Sequence, residues 1–420
     1  MKTDINDTSR NESHALRRAW GRAGLRRRMI SLLLVAPLVV FVSLAFMLPI
    51  GLILFKAVDN PEITTAFPQT AEALSEWQPA VAAELPPDPV FTAFRAELAA
   101  AERRDMGEAA RRLNYEISGY RTLISSTARK LNRGAEGEES ARQVLAGIDA
   151  SWEDPTYWRA LQRASSNYTP YYMLAAMDLT VNDDGRIVRA PEEQRTYVDI
   201  LLRTLKTAAV VTVACLLLGY PLAHLMVTAP RLFSIALTVA VMLPFWTSLL
   251  ARTSAWIVLL QREGLVNSFL GHFGLINEPL ELIFNTTGLY IVMIHMMLPF
   301  MVLPIYATMK GIPPQFMKAS ASLGAHPVRG FVNVYLPMTL PGVGAGTLLT
   351  FIVTSGYYIT PSLVGSARDQ MLGYFIAFFA NTTINWGMAS ALGLILLACI
   401  LAVYFLAART VGIRQLAGLK

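Results

Sequence analysis

Residues 316–342 read FMKASASLGAHPVRGFVNVYLPMTLPG and lie between two apolar runs, each long enough to cross a bilayer. A Pro-Pro pair just before the stretch suits the first turn of a helix. Phe316, Ala319 and Leu323 then follow at positions i, i+3 and i+7, which places them on one face of that helix. Gly324 is predicted to end the helix, because glycine adopts the left-handed cap conformation at low cost.

A second short helix is predicted to begin at Pro327 and to carry Phe331, Val334 and Tyr335. The Leu-Pro pair at 336–337 then returns the chain to the next apolar run. The expected product is a compact helical hairpin with an apolar ridge. A ridge of this kind indicates a surface that a partner covers.

The composition around this stretch is that of a membrane protein. Of 420 residues, 54% are hydrophobic and only 16% are charged, against about 25% charged in soluble domains. The net charge of +6 is segregated, because residues 57–199 carry −8 and the remainder +14, so the basic pI does not point to nucleic acid. Cys215 and Cys399 both lie in apolar runs, which predicts neither a disulfide nor a paired-cysteine metal site.

Six stretches are long and apolar enough to span a bilayer, and the fold predicted is therefore an all-α integral membrane protein with six transmembrane helices. The first is 27 residues without a charge, longer than the apolar core of a secretory signal, so it is read as a retained span. The predicted spans are 29–55, 204–227, 232–250, 287–309, 341–364 and 387–408.

The distribution of Lys and Arg predicts the orientation, since these residues are retained on the cytoplasmic side. With the basic tail 1–28 inside, the cytoplasmic segments hold fifteen cations and three acids. The C-terminal tail 410–420 and the loop 310–340 then also face the cytoplasm. The polar insert 57–199, between the first span (29–56) and the five-span core (200–409), faces outward.

The insert is expected to be mainly helical, with two or three amphipathic helices, an aromatic segment and a hairpin-like turn at the sequence NDDGR. Between the third and fourth spans the chain is too polar to cross and too apolar to be a free loop. A short interfacial or partly re-entrant helix on the outer side is predicted there.

The hairpin at 316–342 resembles the coupling loop of ABC importer permeases of the binding-protein-dependent type. Their pattern is Glu-Ala-Ala, three residues, Gly, nine residues, Ile, one residue, Leu-Pro. The chain departs from it with Lys318 in place of the acid and Ser320 in place of the second alanine. The resemblance assigns an ATPase-coupling role to Phe316, Lys318, Ala319, Ser320, Leu323, Gly324, Ala325, Leu336 and Pro337.

The resemblance covers about 201–408, and the segments LLGYPLAHLM, LPFWTSLLARTSAWIVLLQREGLVNSFL and SGYYITPSLVG look most like permeases of the spermidine and putrescine importer class. It implies a multi-pass protein of the bacterial inner membrane, in the lipid bilayer. It also implies three kinds of partner chain: two copies of an ABC ATPase, a second permease subunit and a periplasmic solute-binding protein. The chain contains no G-x-x-x-x-G-K-[ST] sequence, so ATP hydrolysis is assigned to the separate ATPase, and no cofactor is expected.

Two other classes fit less well. An ion-coupled secondary transporter would carry acids within its spans, and the six predicted spans contain neither Asp nor Glu. His224 and His295 are better read there as packed helix contacts. A membrane enzyme would need a nucleophile with a partnering base, and no such pair or paired carboxylates occur in the core, so no catalytic residue is assigned.

Aromatic and hydroxyl side chains are candidates for lining a translocation path, because aromatic faces attract organic cations weakly. A helix contact is the alternative reading of Ser355, and interfacial anchoring is that of the aromatic residues. An importer of another small solute, such as an amino-acid derivative or an opine, remains open. The path candidates are Trp246, Trp256, Ser355, Tyr357, Tyr358 and Trp386.

Overall fold

The computed structural model describes residues 33–78, 83–133, 140–182 and 185–411. The chain divides into two units, residues 1–55 and 56–420. In the first unit, helix α1 (Leu33–Phe55) is apolar throughout and leaves its side chains exposed, as a lipid-facing helix does. The predicted start of this span at 29, and the basic tail before it, lie outside the described residues.

The insert, 57–199, is mainly helical as predicted, but it contains more helices than the two or three expected. The helical periodicity of the sequence continues across several positions where the helices break. Pro68 and Pro155 each begin a new helix, and Gly119 has φ +93°. The helices are α2 (Glu62–Ala66), α3 (Pro68–Glu76), α4 (Asp88–Ala100), α5 (Arg103–Glu116), α6 (Tyr120–Leu131), α7 (Ala141–Ile148), α8 (Pro155–Ala164) and α9 (Tyr171–Ala176).

An aromatic cluster forms the core of the insert. The rings of Phe94 and Trp152 lie 4.9 Å apart, and those of Phe91 and Trp158 lie 4.6 Å apart. Both indole N–H groups are satisfied: Trp152 donates to Thr127 Oγ1 at 3.0 Å, and Trp158 donates to the Trp152 carbonyl at 2.9 Å. The insert therefore has a closed core of its own.

The predicted hairpin is present at the end of the insert. Strands β1 (Leu179–Val181) and β2 (Ile187–Arg189) pair antiparallel, with Thr180 opposite Val188. Gly185 has φ +75° in the turn, and Asp183 and Asp184 of the predicted NDDGR sequence lie outside the described residues.

Helices α10 (Tyr197–Thr228) and α14 (Thr286–Lys310) confirm the second and fourth spans. The third differs from its prediction of 232–250, because α11 (Arg231–Trp246) and the helices after it, α12 (Leu249–Leu260) and α13 (Leu265–His272), meet at a bend of 107°. Thr247 is extended at the bend, and the Ser248 side chain accepts from the Ala251 N–H at 3.1 Å, so a new helix starts there.

The fifth span also begins and ends earlier than the predicted 341–364. After α15 (Gln315–Ser322), helix α16 runs from Pro327 to Ser355 without a break, and 359–364 forms a separate short helix, α17 (Ile359–Val364). A π turn at Phe331–Tyr335 lets Leu336 N–H bond to the Phe331 carbonyl, which accommodates the following Pro337. Helices α18 (Leu372–Asn381) and α19 (Trp386–Val411) follow, and α19 confirms the last span.

Five described helices are long and apolar enough to cross a membrane, or six when the bent pair counts as one span. The predicted fold class, an all-α membrane protein with a helical insert, is confirmed. In the bundle core, α14 and α16 approach closely at Gly342 and Gly346, and α10 approaches α14 at Gly219.

Candidate functional site: the coupling hairpin

The first helix of the hairpin ends where the sequence predicts. Gly324 has φ +81°, its N–H bonds to the Ala321 carbonyl at 2.9 Å, and the Ala325 N–H bonds to the Ser320 carbonyl at 3.1 Å. This pair of bonds is the Schellman motif, which satisfies carbonyls that the end of α15 would otherwise leave free. A side chain at 324 would be strained in this conformation, so the residue type fixes the turn.

The two arms of the hairpin pack closely across the turn. Pro327 occupies the first turn of α16, and His326 Nδ1 accepts from the Val328 N–H at 3.4 Å. A Cβ built on Gly330 would lie 3.0 Å from Ser320 Oγ, so the half-buried Ser320 contacts the second arm. Ser320, one of the two departures from the family pattern, thus fits the contact between the arms.

An exposed apolar ridge runs over the hairpin. Phe316, Ala319 and Leu323 are all exposed as the helical spacing predicts, and Leu323 is 89% exposed. Val328 and Val332, one turn apart on α16, continue the exposed surface at 62% and 48%. We call Phe316, Ala319, Leu323, Val328 and Val332 the docking ridge.

The second arm differs from its prediction, because Phe331 and Tyr335 turn inward and do not join the ridge. Their rings stack at 5.6 Å, and the His224 ring of α10 lies 5.7 Å from Phe331 and 5.5 Å from Tyr335. Tyr220 Oη lies 3.2 Å from Thr339 Oγ1 one turn further on. The inward aromatic face therefore seats the hairpin on the inner end of α10, a contact that the sequence pattern of the loop does not contain.

The remaining loop residues take simple positions. Lys318 is exposed on α15, and Ala325 is half-buried beside the turn. Leu336 and Pro337 lie in the first turn after the π turn, within the continuous helix α16. The Leu-Pro pair therefore stands inside a helix, where the sequence suggested a return point between two helices.

The path candidates do not form one group. Trp256 Nε1 donates to His295 Nδ1 at 3.1 Å, and Tyr357 Oη contacts Met296 Sδ at 3.8 Å, so these two aromatic residues contact adjacent residues of α14. Ser355 is buried and donates to the Phe351 carbonyl at 2.8 Å, as a helix contact does.

The other three candidates lie elsewhere. Trp246 is exposed at the end of α11, and Tyr358 is exposed at the start of α17. Trp386 lines a cleft of about 280 Å³ with insert residues that include Glu62 and Arg112. Over the described ranges, no group of three or more His, Cys, Asp or Glu side chains is placed to hold a metal ion.

Comparison with known proteins places this architecture. The chain is 32% identical over 216 residues to the spermidine/putrescine transport system permease protein PotB of Escherichia coli, a match that covers 51% of this chain and 78% of PotB. The chain belongs to the ABC transporter permease family. This permease is also 40% identical over 193 residues to the inner membrane ABC transporter permease protein YdcU of Escherichia coli, covering 42% of the permease and 59% of YdcU.

A more distant relative is the putative 2-aminoethylphosphonate transport system permease protein PhnU of Salmonella choleraesuis, 25% identical over 231 residues, or 53% of the permease and 79% of PhnU. Among solved structures, the inward-facing MetNI methionine ABC transporter aligns with a TM-score of 0.40 at 19% identity, covering 51% of the permease and 94% of that chain. No protein-family model matches the sequence. The permease is a multi-pass membrane transport subunit.

Proposed function

We propose that this permease forms half of the translocation path of an ATP-driven importer and that the docking ridge fits a groove on a separate ATPase subunit. The single observation that carries the proposal is the exposure of Leu323 at the tip of a well-formed hairpin. Burying a leucine fully is worth about 1.5–3 kcal/mol. A partner that covers Leu323 and the rest of the ridge would gain that free energy at a surface that water otherwise contacts.

The proposed assembly has two further components besides two ATPase copies: a second permease subunit and a periplasmic solute-binding protein. The excess of Lys and Arg on the predicted inner segments supports an orientation with both termini and the hairpin in the cytoplasm. In that orientation the insert faces the periplasm, and the membrane is the bacterial inner membrane.

The proposed substrate is a small organic cation such as spermidine or putrescine. The names of the PotB relatives support this class, and the rings of Trp256 and Tyr357 around α14 offer weak cation–π contacts. The PhnU relative makes a zwitterionic aminophosphonate the second candidate. Uptake of labelled putrescine and of labelled 2-aminoethylphosphonate, measured in parallel, separates the two, because cells accumulate only the compound that belongs to the true substrate class.

The coupling role is tested by replacing Gly324 with valine. At φ +81° a β-branched side chain is strongly disfavoured, so the turn must reorganise and uptake of labelled putrescine should fall to background. Gly311, at the end of α14 in the same loop, has φ −80°, and Gly311→Val is the matched control that should retain uptake. Normal uptake by Gly324→Val, with the protein in the membrane, would remove the coupling role.

The orientation is tested by cysteines introduced one at a time at Ser320 in the hairpin and at Ser140 in the insert. An impermeant thiol reagent applied to intact spheroplasts should label the cysteine at 140 and not the one at 320. Inverted vesicles should give the reverse. Labelling of both positions from one side would contradict the proposed topology.

A further inference from the structure

One carboxylate of the insert caps the outer end of α10. Asp178, just before β1, is buried and accepts three backbone N–H bonds, from Thr196 and Tyr197 on Oδ1 at 3.0 Å each and from Val198 on Oδ2 at 2.9 Å. These N–H groups belong to the cap and first turn of α10, which have no partner within the helix itself. An ionised carboxylate there also complements the helix dipole.

A second attachment joins the insert to α19. Tyr172 of α9 shares an apolar core with Met388 and Leu392 of α19, together with Ile200 of α10 and Leu372 of α18. The Tyr172 ring lies so close to Gly387 that a Cβ at that position would overlap it. Helix α9 is therefore packed directly against the outer end of α19, in an apolar core to which α10 and α18 also contribute side chains.

On its other side, α9 is held by the core of the insert. The guanidinium of Arg112, on α5, is buried and lies 4.6 Å from the ring centroid of Tyr171 and 5.4 Å from that of Tyr172. It also donates hydrogen bonds to Asn60 Oδ1 at 2.5 Å and to Glu116 Oε1 at 3.0 Å. Tyr171 Oη donates to the Tyr115 carbonyl at 2.7 Å. The aromatic pair of α9 thus connects the body of the insert to the bundle without a flexible segment between them.

The same helix α10 reaches the coupling hairpin at its other end. Its 32 residues correspond to about 48 Å of helix. At its inner end, Tyr220 and His224 contact the aromatic face of the hairpin. At its outer end, three backbone N–H groups donate hydrogen bonds to the Asp178 carboxylate. One helix therefore contacts both the site proposed to meet the ATPase and the insert.

We infer that Asp178 and Tyr172 are positioning residues of the transport cycle, which fix the insert to α10 and α19 so that the insert moves as one body with the helix that seats the coupling hairpin. The inference rests on the proposed coupling role of that hairpin. It gives the insert a function within the cycle: a displacement of α10 driven from the inner side is carried to the outer surface. Rigid-body motion of packed elements is the usual form of such transitions.

The direct test is a distance measurement in the assembled transporter. Spin labels are placed at Arg104, whose side chain is 83% exposed on the insert, and at Thr228, exposed at the inner end of α10. Double electron–electron resonance should give a narrow distribution whose mean shifts by less than about 2 Å between the nucleotide-free and ATP–vanadate states. A broad distribution, or a larger shift, in the unmodified insert would overturn the inference.

The variant Asp178→Gly removes the carboxylate and keeps a residue that tolerates the φ of +56° at that position. The distribution should broaden, and putrescine imported per ATP hydrolysed should fall about five-fold or more, while the ATPase still co-purifies. Asp149→Gly is the matched control, because Asp149 caps a short helix inside the insert through Ser151 N–H at 3.0 Å and does not contact α10. Equal effects of the two variants would contradict the inference.

Asp178→Asn serves if the glycine variant fails to fold, since it keeps one acceptor oxygen and should give the same changes at smaller amplitude. The two proposals fail separately. Normal uptake by Gly324→Val refutes the coupling role whatever the spin labels show. If the spin labels show a mobile insert while Gly324→Val abolishes uptake, only the role of Asp178 and Tyr172 is refuted.

Discussion

The insert and the transmembrane bundle bury different side chains although they belong to one chain. The insert buries large aromatic residues, among them Phe94, Trp152 and Trp158, and carries most of its charges outside. The bundle buries methionines and small residues, such as Met301 and Gly346, and exposes large apolar side chains to its surroundings; Leu232 is 84% exposed.

The difference follows from the two solvents. In water, folding is driven by the removal of apolar surface from contact with the solvent, so burying a large ring stabilises the fold most. In lipid, the tails are as apolar as a leucine side chain, and helices associate through close packing, which small residues permit. The insert is thus a water-type core attached to a lipid-type bundle.

The largest effect is expected from emptying the aromatic core. Trp158→Ala should destabilise the insert by about 3–5 kcal/mol, because a fully buried ring is lost and its cavity remains. Chemical denaturation with pulse proteolysis of the insert measures this loss. Tyr168→Ala is the control in the same region, since Tyr168 is 64% exposed, and a loss as large as that of Trp158→Ala would contradict a ring-filled core.

A single methyl group tests the close packing in the bundle. A Cβ on Gly346 would lie 2.8 Å from the Met301 carbonyl oxygen and 3.1 Å from its Sδ, so Gly346→Ala should force α14 and α16 apart at a cost of about 1–3 kcal/mol. Thermal unfolding in detergent measures the change.

The control for that change is Gly393→Ala on α19, where nothing lies within 4 Å of the added Cβ. Alanine favours a helix interior over glycine by about 0.5–1 kcal/mol, so this variant should be neutral or slightly stabilising. If both variants were more stable than the natural protein, helix propensity, and not helix contact, would dominate in the bundle.

The smallest effect is a pH dependence confined to the insert. Burial raises the pKa of Glu62, so the folded state holds this proton to a higher pH than the unfolded state does. The contribution of Glu62 to stability therefore decreases as pH rises through the raised pKa. Bonds from the backbone and side chain of Ser151 lower the pKa of Asp149, which contributes stability that is lost as pH falls through its folded value.

The two carboxylates therefore predict opposite slopes. From about pH 4 upward, Glu62→Gln should become more stable relative to the natural protein as pH rises. From about pH 5 down to pH 2, the natural protein loses the contribution of Asp149, so Asp149→Asn should become more stable relative to it as pH falls. Urea unfolding followed by the far-ultraviolet signal of the insert measures both series. Parallel slopes would mean that burial of Glu62 does not outweigh its neighbour Arg112, whose charge acts in the opposite direction.

Local residue chemistry predicted the parts of the hairpin that depend on one position. The end of α15 follows from Gly324, since glycine accepts the left-handed conformation, and the exposure of Phe316 and Leu323 follows from helical spacing. The spans at α10, α14 and α19 follow from length and apolar composition. These features need no knowledge of neighbours in space.

Contacts between distant segments decided the rest. The sequence pattern places Phe331 and Tyr335 on an exposed ridge, but in the structure they turn inward to contact Tyr220 and His224, more than a hundred residues earlier. The bend after Trp246 depends on the backbone at Thr247 in a run that reads as one span. The helical spacing of apolar residues in the insert could not show where its helices break.

The sequence by itself determined which regions lie in lipid and which in water, and it determined the turn at Gly324. Apolar content and backbone freedom are properties of short segments and of single residues. Only the tertiary structure decided that Asp178 caps α10, that Tyr172 packs on Gly387, and that one helix joins the insert to the hairpin. The physical reason is that a hydrogen-bond acceptor or an aromatic ring does not specify its partner, and the partner is supplied only when folding brings remote segments together.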